Sequence, residues 1–462
     1  MSRSTLICGA TVVDHESAFV SDILIRDGRI EAVRPDLAGA VEVDQVERFE
    51  GRLVLPGAID PHVHFEEPGR VEREGFATGT QAAAAGGITT VFEHPLSEPP
   101  TVTAARYASK RDLVGTHAYV DFGLWAGAVP GNRSEMPGMV DEGAGGFKAF
   151  MLDSEPEFPG LNGLPLLEAM REAARLGVVM LLHAEDGPTV DAATTRLKAQ
   201  GRHDAAAWAE ARPPTAEIEA VRAAVALATE SFCRIHLVHL TTAASVELAF
   251  DAARRGLPVR VEVCPHYLLL DTTVLAALGP WAKCAPPLRD RDEVDGLWSQ
   301  VLAGRVDFIG SDHAPWEYTE KTAGINDIWA APNGLQSLQF MTVLMLDEGR
   351  RRGLPLDAMV RLMSTNVAKW LGLFPTKGTI EAGSDADLAV YRVGVQKKLR
   401  ASDLFNKQKW TPYEGMTVDY EVEATMLRGE WVFRNGQVPD PPTGRFVPIP
   451  VIQPLAKEVS RS

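Results

Sequence analysis

The chain has 462 residues, 45% of them hydrophobic and 23% charged, an ordinary balance for a folded protein with one large domain and a smaller one. Its formal net charge of −16 speaks against nucleic acid as a partner, because phosphate binding needs a basic surface. Cys8, Cys233, Cys264 and Cys284 lie far apart with no C-x-x-C pair, which excludes a zinc ribbon and a disulfide framework.

Residues 4 to about 50 read as short strands. "STLICGATVV" and "SDILIRDGRIEAVRP" alternate in polarity, and Asp27-Gly28 offers a hairpin turn. The early apolar stretch is interrupted by Asp14 and His15, too soon for a secretory signal. No apolar run approaches the roughly 18 residues of a membrane span. The expectation is a cytoplasmic protein with no membrane partner.

From "RLVLPGAIDPHVHF" onward the texture changes to apolar strand, loop and helix in alternation. Further strand candidates are "GITTVFEHP", "VDFGLWAGAV", "GGFKAFM", "VVMLLHAE", "CRIHLVHL", "VRVEVCPHYL" and "VDFIGSDHAP". Between them "LPLLEAMREAARLG", "TAEIEAVRAAVALATESF" and "TAASVELAFDAARRG" carry apolar residues near the 3.6 period. This order predicts an α/β fold, a (β/α)8 TIM barrel. No G-x-G-x-x-G opens a helix after the first strand, so a dinucleotide-binding open sheet has no support.

Near the end, "SDADLAVYRV", "ATMLRGEWVF" and the Asn435-Gly436 turn resume the strand style. The two terminal β segments are expected to pair into a small β-sandwich, with residues 1–52 and 376–440 as its halves and 53–375 as the barrel. The Pro-rich 441–462 is expected to be an extended arm on the body or on a neighbouring subunit.

Several polar residues interrupt the apolar strands, and all fall at C-terminal ends: His62 and His64 in the first, Lys148 in the fourth, His183 in the fifth, His239 in the sixth and Asp312 in the eighth. Barrel active sites are built at that mouth. An isolated H-x-H is more often a pair of loop residues, and a lone aspartate more often a helix cap. The convergence of six such side chains is what argues for a site. His236 and His239 lie three apart, so on a regular strand they face opposite sides, which favours His239 as the ligand.

Lys148 is the informative member. A cationic lysine cannot bind a metal, but burial in "GGFKAFM" favours the neutral amine. A neutral amine adds carbon dioxide to give a carbamate, in effect a long carboxylate. Four imidazoles, this carbamate and Asp312 would hold two divalent ions, zinc first, with manganese, cobalt or iron open. Such ions make water acidic near neutral pH, and Asp312 is placed to shuttle its proton.

The motifs "PGAIDPHVHF", "GFKAFM", "LLHAED", "HLVHL", "CPHYL", "GSDHAP" and "KGTIEAGSDADLAVY" resemble the cyclic-amide hydrolases of the amidohydrolase superfamily: allantoinase, hydantoinase, dihydropyrimidinase and dihydroorotase. The resemblance spans about residues 4 to 435. It implies a carboxylated Lys148 between two metals, with His62, His64, His183, His239 and Asp312 as the other ligands. It also implies a homodimer or homotetramer acting on a small cyclic amide or ureide, with opening of allantoin first and of 5-substituted hydantoins as the alternative. Retention of all six ligands argues against a non-catalytic scaffold relative.

Some positions depart from these patterns. Glu66 stands where dihydroorotases carry an arginine, and no tyrosine follows Lys148 as in D-selective hydantoinases. Ser97 and Ala314 replace the Asn and Ser usual in allantoinases. Cys284, Asn333, Ser97 and His313 are the candidate substrate contacts, and Met151 and Leu152 are candidates for shaping the exocyclic-substituent site. His94, His117, His203 and His266 are expected to be structural.

Overall fold

The computed structural model of the chain describes residues 3–452. Its two ends meet in one sheet of eight strands. Neighbours along it run Glu430–Arg434, Thr417–Leu427, Leu388–Lys398, Leu53–Pro56, Ser4–Val13, Ala18–Arg26 and Arg29–Arg34, with Gln45–Arg48 also paired to Ser4–Val13. Leu53–Pro56 lies at the centre, parallel to Ser4–Val13 and antiparallel to Leu388–Lys398. The chain therefore leaves this sheet at Gly57, a few residues after the expected boundary at 52. Ile7, Val12, Ile23, Ile25, Val54, Leu388, Val390 and Met426 share the core of this region.

The hairpin at Asp27-Gly28 has φ of 48° and 81°, the left-handed pair that matches strand twist. A Cβ at Gly28 would meet the Arg428 carbonyl oxygen at 2.7 Å, so the close approach of two turns also requires glycine there.

Eight parallel strands form the barrel: Ala58–Val63, Ile88–Glu93, Asp121–Leu124 continued by Ala126–Gly127, Gly146–Phe150, Val179–His183, Arg234–Leu237, Val259–Val263 and Phe308–Ile309. The third strand breaks at Trp125, whose indole donates to the Pro61 carbonyl at 2.9 Å. The ring closes where Val63 pairs with His313 and His64 N–H donates to the His313 carbonyl at 2.8 Å. Helices Gly163–Leu176, Pro214–Ser231 and Ala243–Arg254 occupy the three periodic stretches. The first ends at Gly177, φ 72°, the left-handed C-terminal residue that glycine adopts at least cost.

The described part of the Pro-rich arm lies on the barrel. Val447 N–H donates to the Phe122 carbonyl and Ile452 N–H to the Gly177 carbonyl, while Phe446 packs on Phe122 and Tyr107. Gly145 admits this passage, since a Cβ there would overlap Ile449 at 2.1 Å. The arm thus crosses the N-terminal ends of the third, fourth and fifth strands, opposite the mouth. The rest of the expected arm, 453–462, lies outside the described residues. Among those described, no helix is long and apolar enough to cross a membrane.

Candidate functional site

The first strand delivers His62 and His64 to the mouth, and Asp60 fixes where they end. Its Oδ1 accepts from His62 N–H and from Ser311 N–H, both at 3.0 Å, tying the H-x-H to the segment that carries Asp312. Asp312 and His239 both adopt left-handed backbone, φ 45° and 43°. That conformation is uncommon for non-glycine residues and costs about 1–3 kcal/mol, so the neighbouring structure must hold it. Glu217 does so after His239, accepting from the N–H and hydroxyl groups of Thr241 and Thr242 at 2.6–3.0 Å.

A buried carboxylate orients each of two imidazoles. His62 Nδ1 lies 2.7 Å from Glu262 Oε1 and His183 Nε2 lies 2.6 Å from Glu185 Oε2. Burial pushes both glutamates up, but the facing His62 and His236 hold Glu262 at about 2, and Arg212 holds Glu185 at about 2. Both are ionised and can only accept. The contacted nitrogens must therefore carry hydrogen, leaving His62 Nε2 and His183 Nδ1 as lone pairs. Burial lowers His62, His183 and His239 below the ordinary histidine value, favouring the neutral form that ligates metals.

The lone pair of His62 Nε2 faces an acceptor. Asp312 Oδ1 is 3.1 Å from it and 3.3 Å from His64 Nε2. Asp312 itself is held well below its usual range, burial being outweighed by the facing imidazoles. Acceptor against acceptor in a buried site is repulsive unless a cation lies between them. The ligand atoms of His62, His239 and Asp312 fall within 4.8 Å of one another, and so do those of His62, His64 and His94. The donor set, imidazole nitrogens and carboxylate oxygens, is that of a borderline divalent cation. The residues present fit a metal centre.

Lys148 is buried, with Nζ 4.8 Å from the Phe150 ring centroid. Burial brings its ammonium down to about 8, so a minority, on the order of a tenth, is neutral amine near pH 7, far more than for a lysine at its ordinary value.

One cleft of about 230 Å³ is lined by His62, His64, Lys148, His183, His239 and Asp312 together. Residues 53–432 match the model of the amidohydrolase family. The chain belongs to that family. It is 44% identical to an allantoinase of Rubrobacter xylanophilus over 97% of this chain and 98% of that one. It is 35% identical to an L-hydantoinase of Paenarthrobacter aurescens over 94% and 95%. Among solved structures, an L-hydantoinase (dihydropyrimidinase) from Arthrobacter aurescens superposes with a TM-score of 0.94 at 35% identity, covering 97% of this chain and all of that one. A dihydropyrimidinase from Brevibacillus agri gives 0.90 at 32%, covering 98% and 99%.

In this amidohydrolase, Cys284 and Asn333 line the same cleft. Asn333 Oδ1 is buried without a partner, so its amide is available to a ligand. Burial raises the Cys284 thiol to about 12, which removes it as a nucleophile. Two other expected contacts lie elsewhere. Ser97 turns away from the cleft, its hydroxyl donating to the Pro99 carbonyl at 3.2 Å and accepting from Lys110 at 3.2 Å; Leu96 takes the wall position instead. His313 is fully buried behind the mouth, with Nδ1 accepting from Ser337 N–H at 3.3 Å and Nε2 3.1 Å from Asn406 Nδ2. In each case strand or loop parity turns the neighbouring residue, Leu96 or Asp312, toward the cleft. Leu152 is buried with Val190 and Ala216, and Met151 belongs to the main core, so neither reaches the cleft.

Residues outside the sequence-based set complete the site. Glu262 accepts from His62 and lies 3.0 Å from His236 Nε2, so His236 also faces the interior. The parity argument for this pair fails because the sixth strand ends at Leu237 and the chain turns left-handed at His239. The signal for Glu262 is an acidic side chain in "VRVEV", an otherwise apolar strand apart from Arg260. Glu66 lines the cleft and is paired with Arg73, whose guanidinium stacks 3.5 Å above Trp316 and also holds Glu320 at 2.7 Å. His117 and His203 are satisfied by Glu67 at 3.1 Å and Asp327 at 2.9 Å, as structural residues are. His94 is not satisfied.

Proposed function

We propose that this chain is a binuclear metal-dependent hydrolase of cyclic ureides that opens the ring of allantoin to allantoate. The observation that carries the metal reading is the meeting of His62 Nε2 and His64 Nε2 on Asp312 Oδ1 within one cleft. Likeness along nearly the whole chain to allantoinases supports the substrate. His62, His64, His183, His239 and Asp312 would hold the two ions, zinc by ligand type. Lys148, whose burial favours the amine, would add carbon dioxide with loss of a proton and serve as an anionic bridge.

Bound divalent ions supply Lewis acidity toward the scissile carbonyl and make water acidic enough to attack near neutral pH. Asp312 accepts the proton of the attacking water and returns it to the departing ring nitrogen. Glu262 and Glu185 keep His62 and His183 in one tautomer while charge changes beside them. Asn333 orients the ring through its free amide oxygen, an acceptor for a ring N–H. Leu96, Phe150 and Trp316 exclude water from the cleft.

A second reading, hydrolysis of 5-substituted hydantoins, is favoured by those three apolar side chains and by the TM-score of 0.94 to an L-hydantoinase. Ring opening of allantoin, hydantoin, 5-benzylhydantoin, dihydrouracil and dihydroorotate by the purified zinc- or manganese-loaded protein separates the two. Allantoin turnover absent in Lys148→Ala is the expected result. Turnover of 5-benzylhydantoin in preference to allantoin transfers the assignment to the second reading, and a protein that binds no metal removes both.

A further inference from the structure

The wall of the cleft that carries Asn333 has little regular structure of its own. After a short turn of helix at Ile328–Ala330 the chain runs through Ala331, Pro332, Asn333 and Gly334, and the last three line the cleft. Buried carbonyls in such a segment lack helix or strand partners and need donors from elsewhere. Side chains supply them to three successive residues. Lys283 Nζ donates to the Ala331 carbonyl and, at 2.8 Å, to that of Ile328. Lys321 Nζ donates to the Pro332 carbonyl at 3.0 Å, and the Trp316 indole to that of Asn333 at 2.6 Å.

The same lysines tie this wall to its neighbours. The Lys283 carbonyl accepts from Lys321 Nζ at 3.2 Å and from Gly334 N–H at 3.0 Å. That joins 331–334 to the segment bearing Cys284, whose own carbonyl accepts from the Trp208 indole at 2.8 Å. Leu335 then pairs with His313 and accepts from Ala314 N–H at 2.9 Å, which sets the register of Asn333 against Asp312.

Lys283 is 2% exposed and Lys321 0%. Among the described residues their ammonium groups meet carbonyls and indole faces rather than carboxylates. A lysine that only covers apolar surface keeps its head in water. Burying two heads is costly, and here the bonds to one loop offset the cost. Burial brings both down to about 7. A neutral amine still carries two N–H groups, one for each carbonyl it holds, so the clamp does not depend on charge.

We propose that Lys283 and Lys321 are positioning residues that pin the carbonyls of 331 and 332 and so hold the Asn333 amide toward the substrate ring. The inference rests on the role given to Asn333 in the proposed function. The lysines touch no substrate, and their influence passes through Asn333 to substrate affinity rather than to the proton transfer at Asp312.

The test uses the full-length, metal-loaded protein as wild type, Lys321→Met, Lys283→Met, Asn333→Ala and the double variant Lys321→Met with Asn333→Ala. Steady-state kinetics with allantoin and amide hydrogen exchange of peptides covering 328–335 are measured on each. Circular dichroism checks the fold, and Lys321→Gln, which keeps an N–H donor, decides if Lys321→Met does not fold. The expected result for Lys321→Met is a rise in KM of about tenfold, the loss of one oriented hydrogen bond, with kcat within about threefold. In the Asn333→Ala background the same substitution should change KM less than about twofold, because coupled residues are not additive. Exchange in 328–335 should quicken at least about tenfold while the strand Val179–His183 is unchanged. Unchanged KM and exchange in both lysine variants overturn the inference, and so does an equal rise in KM in both backgrounds. Either result leaves ring opening by the wild type standing. A wild type that opens no cyclic ureide overturns the proposed function instead, and the exchange data then decide the clamp.

Discussion

Glu262 and His62 form a fully buried pair, 2.7 Å from Oε1 to Nδ1, and the same carboxylate accepts from the backbone N–H of His239 at 3.2 Å. One side chain from the seventh strand thus sets the tautomer of a candidate ligand on the first and the position of another beyond the sixth. Glu262→Gln offers a donor where only an acceptor fits. Metal affinity should fall about 10–100-fold, as for other carboxylates that back a ligating histidine, and chelator competition measures it. Affinity within twofold of wild type would refute this role.

Asp312→Asn keeps the shape of the side chain, and asparagine tolerates the left-handed backbone at this position. It loses the proton acceptor. We expect kcat for ring opening to drop about 10²–10⁴-fold while circular dichroism and thermal midpoint stay near wild type. A variant retaining a tenth or more of wild-type kcat would assign the proton transfer to another group.

Arg73 stacks on Trp316 and pairs with Glu66, and both of those residues line the cleft. Removing the guanidinium in Arg73→Ala frees the indole and leaves the Glu66 carboxylate without its cation. The stacking alone accounts for about 1–2 kcal/mol at a desolvated site, corresponding to roughly 5–30-fold in binding. Steady-state kinetics should show this as a rise in KM with kcat little changed. An effect confined to kcat would place Arg73 in the chemical step.

Lys377 joins the barrel to the terminal sheet, reaching Asp121, Asp385 and Asp387 at 2.8, 3.4 and 2.6 Å. Burial opposes its charge, yet Asp387 and Asp121 raise its folded pKa above the ordinary lysine value. A raised lysine contributes stability that is complete below the unfolded pKa of about 10.4 and is lost as pH climbs through the folded one. Lys377→Met should cost about 3–5 kcal/mol at pH 7 by leaving buried carboxylates unpaired. Urea denaturation measures that loss, and repeating it above pH 10.4 should find the wild type losing this contribution and the variant unaffected.

The alternation of apolar strand and amphipathic helix was legible along the chain because period 2 and period 3.6 are local properties. So were the polar residues ending apolar strands: His62, His64, Lys148, His183, His239 and Asp312 all reach one cleft. The C-terminal end of a parallel strand is a position that counting along the sequence can find.

The backing shell was not legible in that way. Glu262 meets His62 across 200 residues of chain, and Asp60 meets Ser311 across 251. Those contacts exist only because the ring closes, which sets the first strand beside the eighth and within reach of the seventh across the interior. Ser97 and His313 mark the same limit, since one residue of register decides whether a side chain enters the cleft or turns behind it. Nothing near His94 in the sequence distinguishes it, and its stacking on His62 arises only in the fold. Strand composition by itself determined the barrel and the strand ends whose polar side chains line its cleft. Ring closure decided which carboxylate orients which imidazole and left both His94 nitrogens unpartnered, because hydrogen-bond satisfaction depends on neighbours brought together by folding.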